Sequence, residues 1–220
     1  MLPSIFISKI ILNNFRSHEN FSIDANSSNV VLFGKNGVGK TNILESISLL
    51  SPGRGLRNAK NEEIINKKSG INYSLSADLK LNDSSVKIKK FFVKDNSNKS
   101  NLLIDDEKSK TSELLNFLRV IWVTPVMEKI MLQSNSERRN FFDRLIFNIE
   151  KKHLKSFSAY NKFTKERLHI LKSNNIDDGW LQQIETNIAQ HAYEVIRYRK
   201  EAIDKINANL SLISLPFNSC

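Results

Sequence analysis

Apolar and polar positions follow two rhythms along the chain. Before Pro125, apolar residues alternate or form short runs between turn-forming clusters, which is strand spacing; after it they recur every three or four positions, which is helix spacing. Residues 4–12 predict a strand, with Ile5, Ile7, Ile10 and Ile11 apolar and Asn13-Asn14 breaking it. Phe21-Ser22-Ile23 alternates and predicts a second strand, followed by a turn at Asn26-Ser27-Ser28-Asn29. Val30–Phe33 is a continuous apolar run and reads as a buried strand. Ile43, Leu44, Ile47 and Leu50 predict a helix from Lys40 that Pro52-Gly53 ends. Tyr73–Leu81 and Val86–Val93 flank Asn82-Asp83-Ser84-Ser85, a β-hairpin pattern. Leu102–Ile104 and Arg119–Val123 read as short strands.

The second half begins with Ser134-x-x-Glu137, a capping-box pattern. Phe141, Phe142, Leu145, Ile146 and Ile149 then form an apolar stripe. Leu154, Phe157, Asn161, Thr164, Leu168 and Leu171 make another, with two polar members. Residues 173–179 read as a loop in which Asp177 or Asp178 could cap the next helix. Leu181, Ile184, Ile188, Ala192, Val195, Arg199, Ala202 and Ile206 predict a last helix of about 28 residues, a rod of roughly 40 Å. These helices read as a hairpin or arm beside an α/β domain, with ordinary core helices of a single domain as the alternative.

Glycine placement changes the picture. Of seven glycines, five fall between Gly34 and Gly55. Gly34-Lys35-Asn36-Gly37-Val38-Gly39-Lys40-Thr41 matches G-x-x-x-x-G-K-S/T in full, between an apolar run and a helical pattern, as a phosphate loop requires. Without Cβ atoms the backbone can turn its N–H groups toward an anion, and the following helix adds its positive N-terminal end. In that reading Lys40 reaches the β- and γ-phosphates of a nucleotide and the Thr41 hydroxyl ligates Mg²⁺, which makes ATP and Mg²⁺ the expected cofactors.

Composition sets wider bounds. The 220-residue chain is 40% hydrophobic and 25% charged, ordinary for a soluble protein able to bury a core. A net charge of +10 favours a polyanionic partner, nucleic acid before an acidic membrane surface. Cys220 is the single cysteine, which excludes a disulfide framework and a cysteine metal site. The four histidines have no metal-ligand spacing. The N-terminus lacks the basic region of a signal peptide and no apolar run approaches the ~18 residues of a membrane span, so a cytoplasmic location is expected.

Several stretches together resemble the RecF family of bacterial recombination-mediator ATPases, in the SMC/ABC-like class. They are Leu12-Asn-Asn-Phe15-Arg16-Ser17-His18, the phosphate loop continued through Asn42-Ile-Leu-Glu45-Ser-Ile47, and Ser51-Pro-Gly-Arg-Gly-Leu-Arg57. Trp122-Val-Thr-Pro125 and Ser136-Glu-Arg138-Arg139-Asn-Phe-Phe-Asp143-Arg144 complete the set. The resemblance implies an α/β P-loop NTPase head, ABC-ATPase-like with a mixed sheet, plus an α-helical arm. Expected boundaries are 1–134 for the N-terminal part of the head, 135–210 for the arm and 211–220 for a truncated return segment.

The resemblance also implies ATP-binding work in DNA replication and recombinational gap repair, including the SOS response. It implies binding of single-stranded DNA and single-/double-strand junctions, ATP-dependent homodimerisation in the complete protein, and other recombination mediators as partners. Family members carry their signature and Walker B segments beyond the arm, so this chain is expected to be truncated and not to hydrolyse ATP efficiently. Leu102-Leu-Ile-Asp-Asp-Glu107 imitates a Walker B strand, but it stands where the family has a hairpin turn. A non-hydrolysing DNA-binding fragment is the alternative, and another SMC- or Rad50-like ATPase a third reading.

Individual residues carry competing readings. Arg16 either contacts nucleotide or is a surface cation, and Asn42 and Glu45 are read as helix support. Residues 136–172 hold ten Lys/Arg against four Asp/Glu. Arg138, Arg139, Lys151, Lys152 and Lys155 are the DNA-binding candidates in this stretch, with a solvated helix face as the alternative. Arg138, Arg139 and Asp143 could instead form an internal ion-pair network. Trp122 and Trp180 read as packing residues.

Overall fold

The structure, a computed structural model, describes residues 5–26, 29–68, 70–82, 84–94, 98–173 and 177–210. The expected return segment 211–220, and parts of the expected turns at 26–29, 82–85 and 173–179, lie outside the described residues. The chain forms two compact units, Met1–Trp122 and Val123–Cys220.

The first unit is built on strands β1 (Ile5–Phe15), β2 (His18–Asp24), β3 (Asn72–Leu81), β4 (Ser84–Val93), β5 (Asn101–Ile104) and β6 (Glu107–Lys108). They make one sheet in the order β2-β1-β3-β4-β5-β6, and every pairing in it is antiparallel. Alternation puts Tyr73, Leu75, Ala77 and Leu79 of β3 and Val86, Ile88 and Phe92 of β4 on one buried face. Helix α1 (Lys40–Ser48) is followed by Leu49 and Leu50, and the short α2 (Asn61–Ile64) brings Ile64 into the same core. Asp105 and Asp106 both have left-handed backbones, φ 50° and 65°, and join β5 to β6 as a two-residue hairpin turn. The Walker B imitation is therefore a hairpin.

Three strand expectations need correction. β1 does not stop at Asn13-Asn14 but runs to Phe15, because Asn13 pairs with Asn20 and Ser74 while the buried Phe15 packs edge-on against Tyr73. Val30–Phe33 is neither a strand nor buried: it pairs with no strand among the described residues, and Val31 and Phe33 are 79% and 90% exposed. An apolar run becomes a central strand only when neighbours take up its backbone groups, and none lies alongside among the described residues. Arg119–Val123 is irregular for the same reason: Val120 packs against the core while Ile121 and Val123 face solvent. The sheet's parallel component is consequently not formed by these residues.

The second unit is helical: α3 (Asn135–Ile149), α4 (Lys151–Leu171) and α5 (Asp178–Leu210). The capping box is present, with the Ser134 hydroxyl accepting from the Glu137 N–H and the Glu137 carboxylate accepting from the Ser134 N–H. Asp177 caps α5 by accepting from the Trp180 N–H at 2.9 Å. α4 and α5 run antiparallel, with His153 near Tyr198, Phe163 stacked on His191 and Arg167 bonded to Glu185. At 33 residues α5 is about 50 Å long, longer than its apolar rhythm alone indicated. Among the described residues no helix is long and apolar enough to cross a membrane.

Candidate functional site

The phosphate loop is the junction between the exposed 30–33 segment and α1. Gly37 and Gly39 have φ of 87° and 99°, a region that favours glycine. A Cβ on Gly39 would stand 2.5 Å from His18 Nε2 and 2.7 Å from Ser17 Oγ, so the β1–β2 turn presses directly on the loop's last glycine. The loop curls back on itself, since the Lys40 ammonium donates to the carbonyls of Gly34 and Lys35, both at 2.7 Å. Two of its three donors close the ring of backbone, and one is left for an anion. Lys35, Asn36, Val38 and Thr41 are exposed around it. Thr41 is in the first turn of α1, where N–H groups have no intrahelical acceptor. The arrangement therefore presents an ammonium, a hydroxyl and the positive end of a helix at one solvent-open place, the donor set that a nucleotide phosphate and Mg²⁺ need.

Behind the loop lies a polar hub on Glu45, whose side chain is fully buried. Arg16 forks onto it with bonds of 2.6 and 2.9 Å and also donates to the Glu63 carbonyl. Arg57 donates to Glu45 at 2.7 Å and to Asn42 Oδ1 at 2.8 Å. Asn42 in turn donates to Ser17 Oγ. Arg16 is thus neither a free surface cation nor committed to solvent, and Glu45 and Asn42 do more than support their helix. The reach of Glu45 to positions 29 and 12 residues away left no local signal, apart from a charged residue on the inward face of α1.

In the helical unit the structure separates the candidate cations. Arg138 and Arg139 lie in the first turns of α3, exposed, and their guanidinium groups bond locally to Asn135 and Ser136. Neither pairs with Asp143. Instead, Arg199 forks onto Asp143 with bonds of 2.8 and 2.7 Å, and His153 Nε2 lies 2.9 Å from the same carboxylate. Burial pushes the Asp143 carboxyl up, but the hydrogen bonds and charges of His153 and Arg199 outweigh it and hold the group below the usual carboxylate range. The expected internal network exists with different cations. Its sequence signal was the charged Asp143 beside Phe142 within an otherwise apolar stripe.

Lys151, Lys152 and Lys155 are exposed on α4. At roughly 100° per residue they share an arc of about 140° with Lys162 and Lys165, opposite His153 and Phe157. Glu166 is the one carboxylate of α4 in that arc. The five lysines form two groups on one face of α4, Lys151, Lys152 and Lys155 at its start and Lys162 and Lys165 about two turns further on.

Residues 6–127 match the RecF/RecN/SMC N terminal domain, and the chain belongs to that family. Within it, the chain is 34% identical over 215 residues to the DNA replication and repair protein RecF of Rickettsia akari (strain Hartford), covering 93% of this chain and 58% of the relative. It is 35% identical over 215 residues to RecF of Rickettsia typhi (strain ATCC VR-144 / Wilmington), with the same coverage. The chain thus spans little more than half the length of the curated relatives it matches. A solved structure of the recombination mediator protein RecF with ATP superposes with a TM-score of 0.81 at 25% identity, covering 92% of this chain and 55% of that one. The fold is that of a RecF/SMC-type P-loop ATPase head with a helical lobe.

Proposed function

We propose that this chain binds ATP with Mg²⁺ through Gly34–Thr41 and serves a DNA repair and replication protein of the RecF kind. The observation that carries the reading is Lys40 drawn onto the carbonyls of Gly34 and Lys35 at the mouth of α1. That ring holds a cation where a β- or γ-phosphate would sit between the loop amides and the helix end. Bound Mg²⁺ would be held by the Thr41 hydroxyl together with phosphate oxygens, neutralising phosphate charge. The Glu45 hub keeps Arg16 and Arg57 beside the loop and fixes the turn that presses on Gly39.

Family membership and the names of the relatives support extending the reading. In it, the head pairs with a second copy around ATP, and the arm meets single-stranded DNA and its junctions with duplex in gap repair and the SOS response, alongside other mediators. The proposed domain division 1–134 and 135–210 fits this split of labour, with the compact units themselves dividing earlier, between Trp122 and Val123. The exposed α4 lysines support the DNA contact, and the equally exposed Arg138 and Arg139 at the start of α3 are further candidates for it.

The test is nucleotide binding by the 220-residue chain and its Lys40→Ala variant, read with a fluorescent ATP analogue and Mg²⁺. The variant should lose at least a hundredfold in affinity; equal affinity removes the site assignment. An ATPase assay beside a DNA mobility shift separates the two modes of action. Turnover supports a working ATPase, whereas salt-sensitive DNA binding without turnover supports a DNA-binding module that uses ATP only as a ligand.

A further inference from the structure

β4 contains a violation of its own pattern. Val86, Ile88 and Phe92 face the core, and the residue in phase with them is Lys90, 5% exposed. A lysine this deeply buried is rare without a counter-charge. Among the described residues its ammonium has one acceptor, the carbonyl of Leu49 at 3.1 Å, which ends α1. Burial pushes this ammonium down to about 8, as befits a cation short of negative charge. Lys90 also borders a cavity of about 330 Å³, whose other walls include Arg54, Lys60, Asn61 and Glu62. Among the described lining residues three cations stand against one carboxylate, a formal surplus of two positive charges. The lining is at the far end of α1 from the phosphate loop, about 13 Å along the helix from Lys40 to Leu49.

We propose that this cavity is a second anion site, distinct from the phosphate loop, that takes a small tetrahedral dianion of the phosphate or sulfate kind. Two N–H groups of Lys90 remain for the anion's oxygens once Leu49 is satisfied. Arg54 and Lys60 are exposed and supply the remaining charge, while the Asn61 amide on the same wall is already taken, donating to the Asn98 carbonyl and accepting from the Tyr73 hydroxyl. Since Lys90 also holds the carbonyl end of α1, an occupied cavity would bind the two ends of that helix to two anions. The inference does not depend on the nucleotide reading.

The test uses sulfate, titrated calorimetrically into the 220-residue chain carrying Lys40→Ala, so that the phosphate loop is disabled. One equivalent should bind, inorganic phosphate should behave alike, and adding Lys90→Met should weaken binding at least tenfold. If Lys90→Met fails to fold, the surface double variant Arg54→Ser with Lys60→Ser decides, with an expected weakening of about tenfold. Absence of sulfate and phosphate binding in the Lys40→Ala chain, or unchanged affinity in the surface double variant, overturns the proposal. Binding of a single-stranded oligonucleotide that neither anion competes away, with no uptake of either, also overturns it. The phosphate-loop assignment is judged separately, by ATP binding to the chain with Lys40 intact.

Discussion

Among the described residues each unit has one buried carboxylate shared by two cationic or proton-bearing side chains, and the two hubs differ in what lies around them. Glu45 is gripped by Arg16 and Arg57, whose side chains are partly open to water and come from segments beside the phosphate loop. Asp143 is gripped by His153 and Arg199 within the helical bundle, where His153 is fully buried and packs against Phe147, Phe157 and Tyr198. The first hub therefore fixes two partly exposed arginines beside the phosphate loop, whereas the second ties α3, α4 and α5 together. A buried ion pair costs desolvation whatever its purpose, so its surroundings decide whether breaking it harms stability or binding.

The sharpest way to break the comparison is Asp143→Ala. It leaves Arg199 facing a cavity without its carboxylate and should destabilise the helical unit by about 3–5 kcal/mol in denaturant unfolding. Glu45→Ala should cost less stability, about 1–3 kcal/mol, because Arg16 and Arg57 keep the Glu63 carbonyl and Asn42 and can reach water. Its larger effect should be on ATP affinity, weakened about tenfold or more, whereas Asp143→Ala leaves ATP affinity unchanged when the fold is retained.

Acid sharpens the contrast further. The Asp143 carboxyl is held below its ordinary value of about 3.9, so its stabilisation is complete above that pH and disappears as pH falls through the folded value. Unfolding of the wild-type chain followed below about pH 4 should show this loss, and Asp143→Asn should flatten it. The smallest expected effect is on DNA: replacing Lys151, Lys152 and Lys155 with alanine should lower the slope of log affinity against log salt by about one per phosphate contact removed. The same triple change should leave unfolding within about 0.5 kcal/mol, since these side chains are exposed.

Local rules carried much of the fold into the sequence. Alternation in Tyr73–Leu81 and Val86–Val93, the Ser134–Glu137 box and a cap by one of Asp177 and Asp178 each depend on neighbours within a few positions, and each formed, though Ser84 and Ser85, read as turn, belong to β4. The phosphate loop was legible because glycine is demanded at particular positive-φ points. What escaped was long-range. The Glu45 and Asp143 hubs join residues 10 to 56 positions apart, and nothing nearby announces which arginine will arrive. Lys90 was legible in principle, as the charged member of an apolar period, but its meaning required the end of α1 to be in place. Val30–Phe33 misled because an apolar run states a preference for burial and says nothing about whether a partner strand is alongside.

That same tetrapeptide bears on how the chain behaves in solution. Among the described residues no strand takes up its main-chain donors and acceptors, and Val31 and Phe33 add exposed apolar surface, the features that invite strand addition. Concentrated preparations of the 220-residue chain should therefore self-associate through it, and Val31→Lys with Phe33→Lys should keep the chain monomeric in sedimentation.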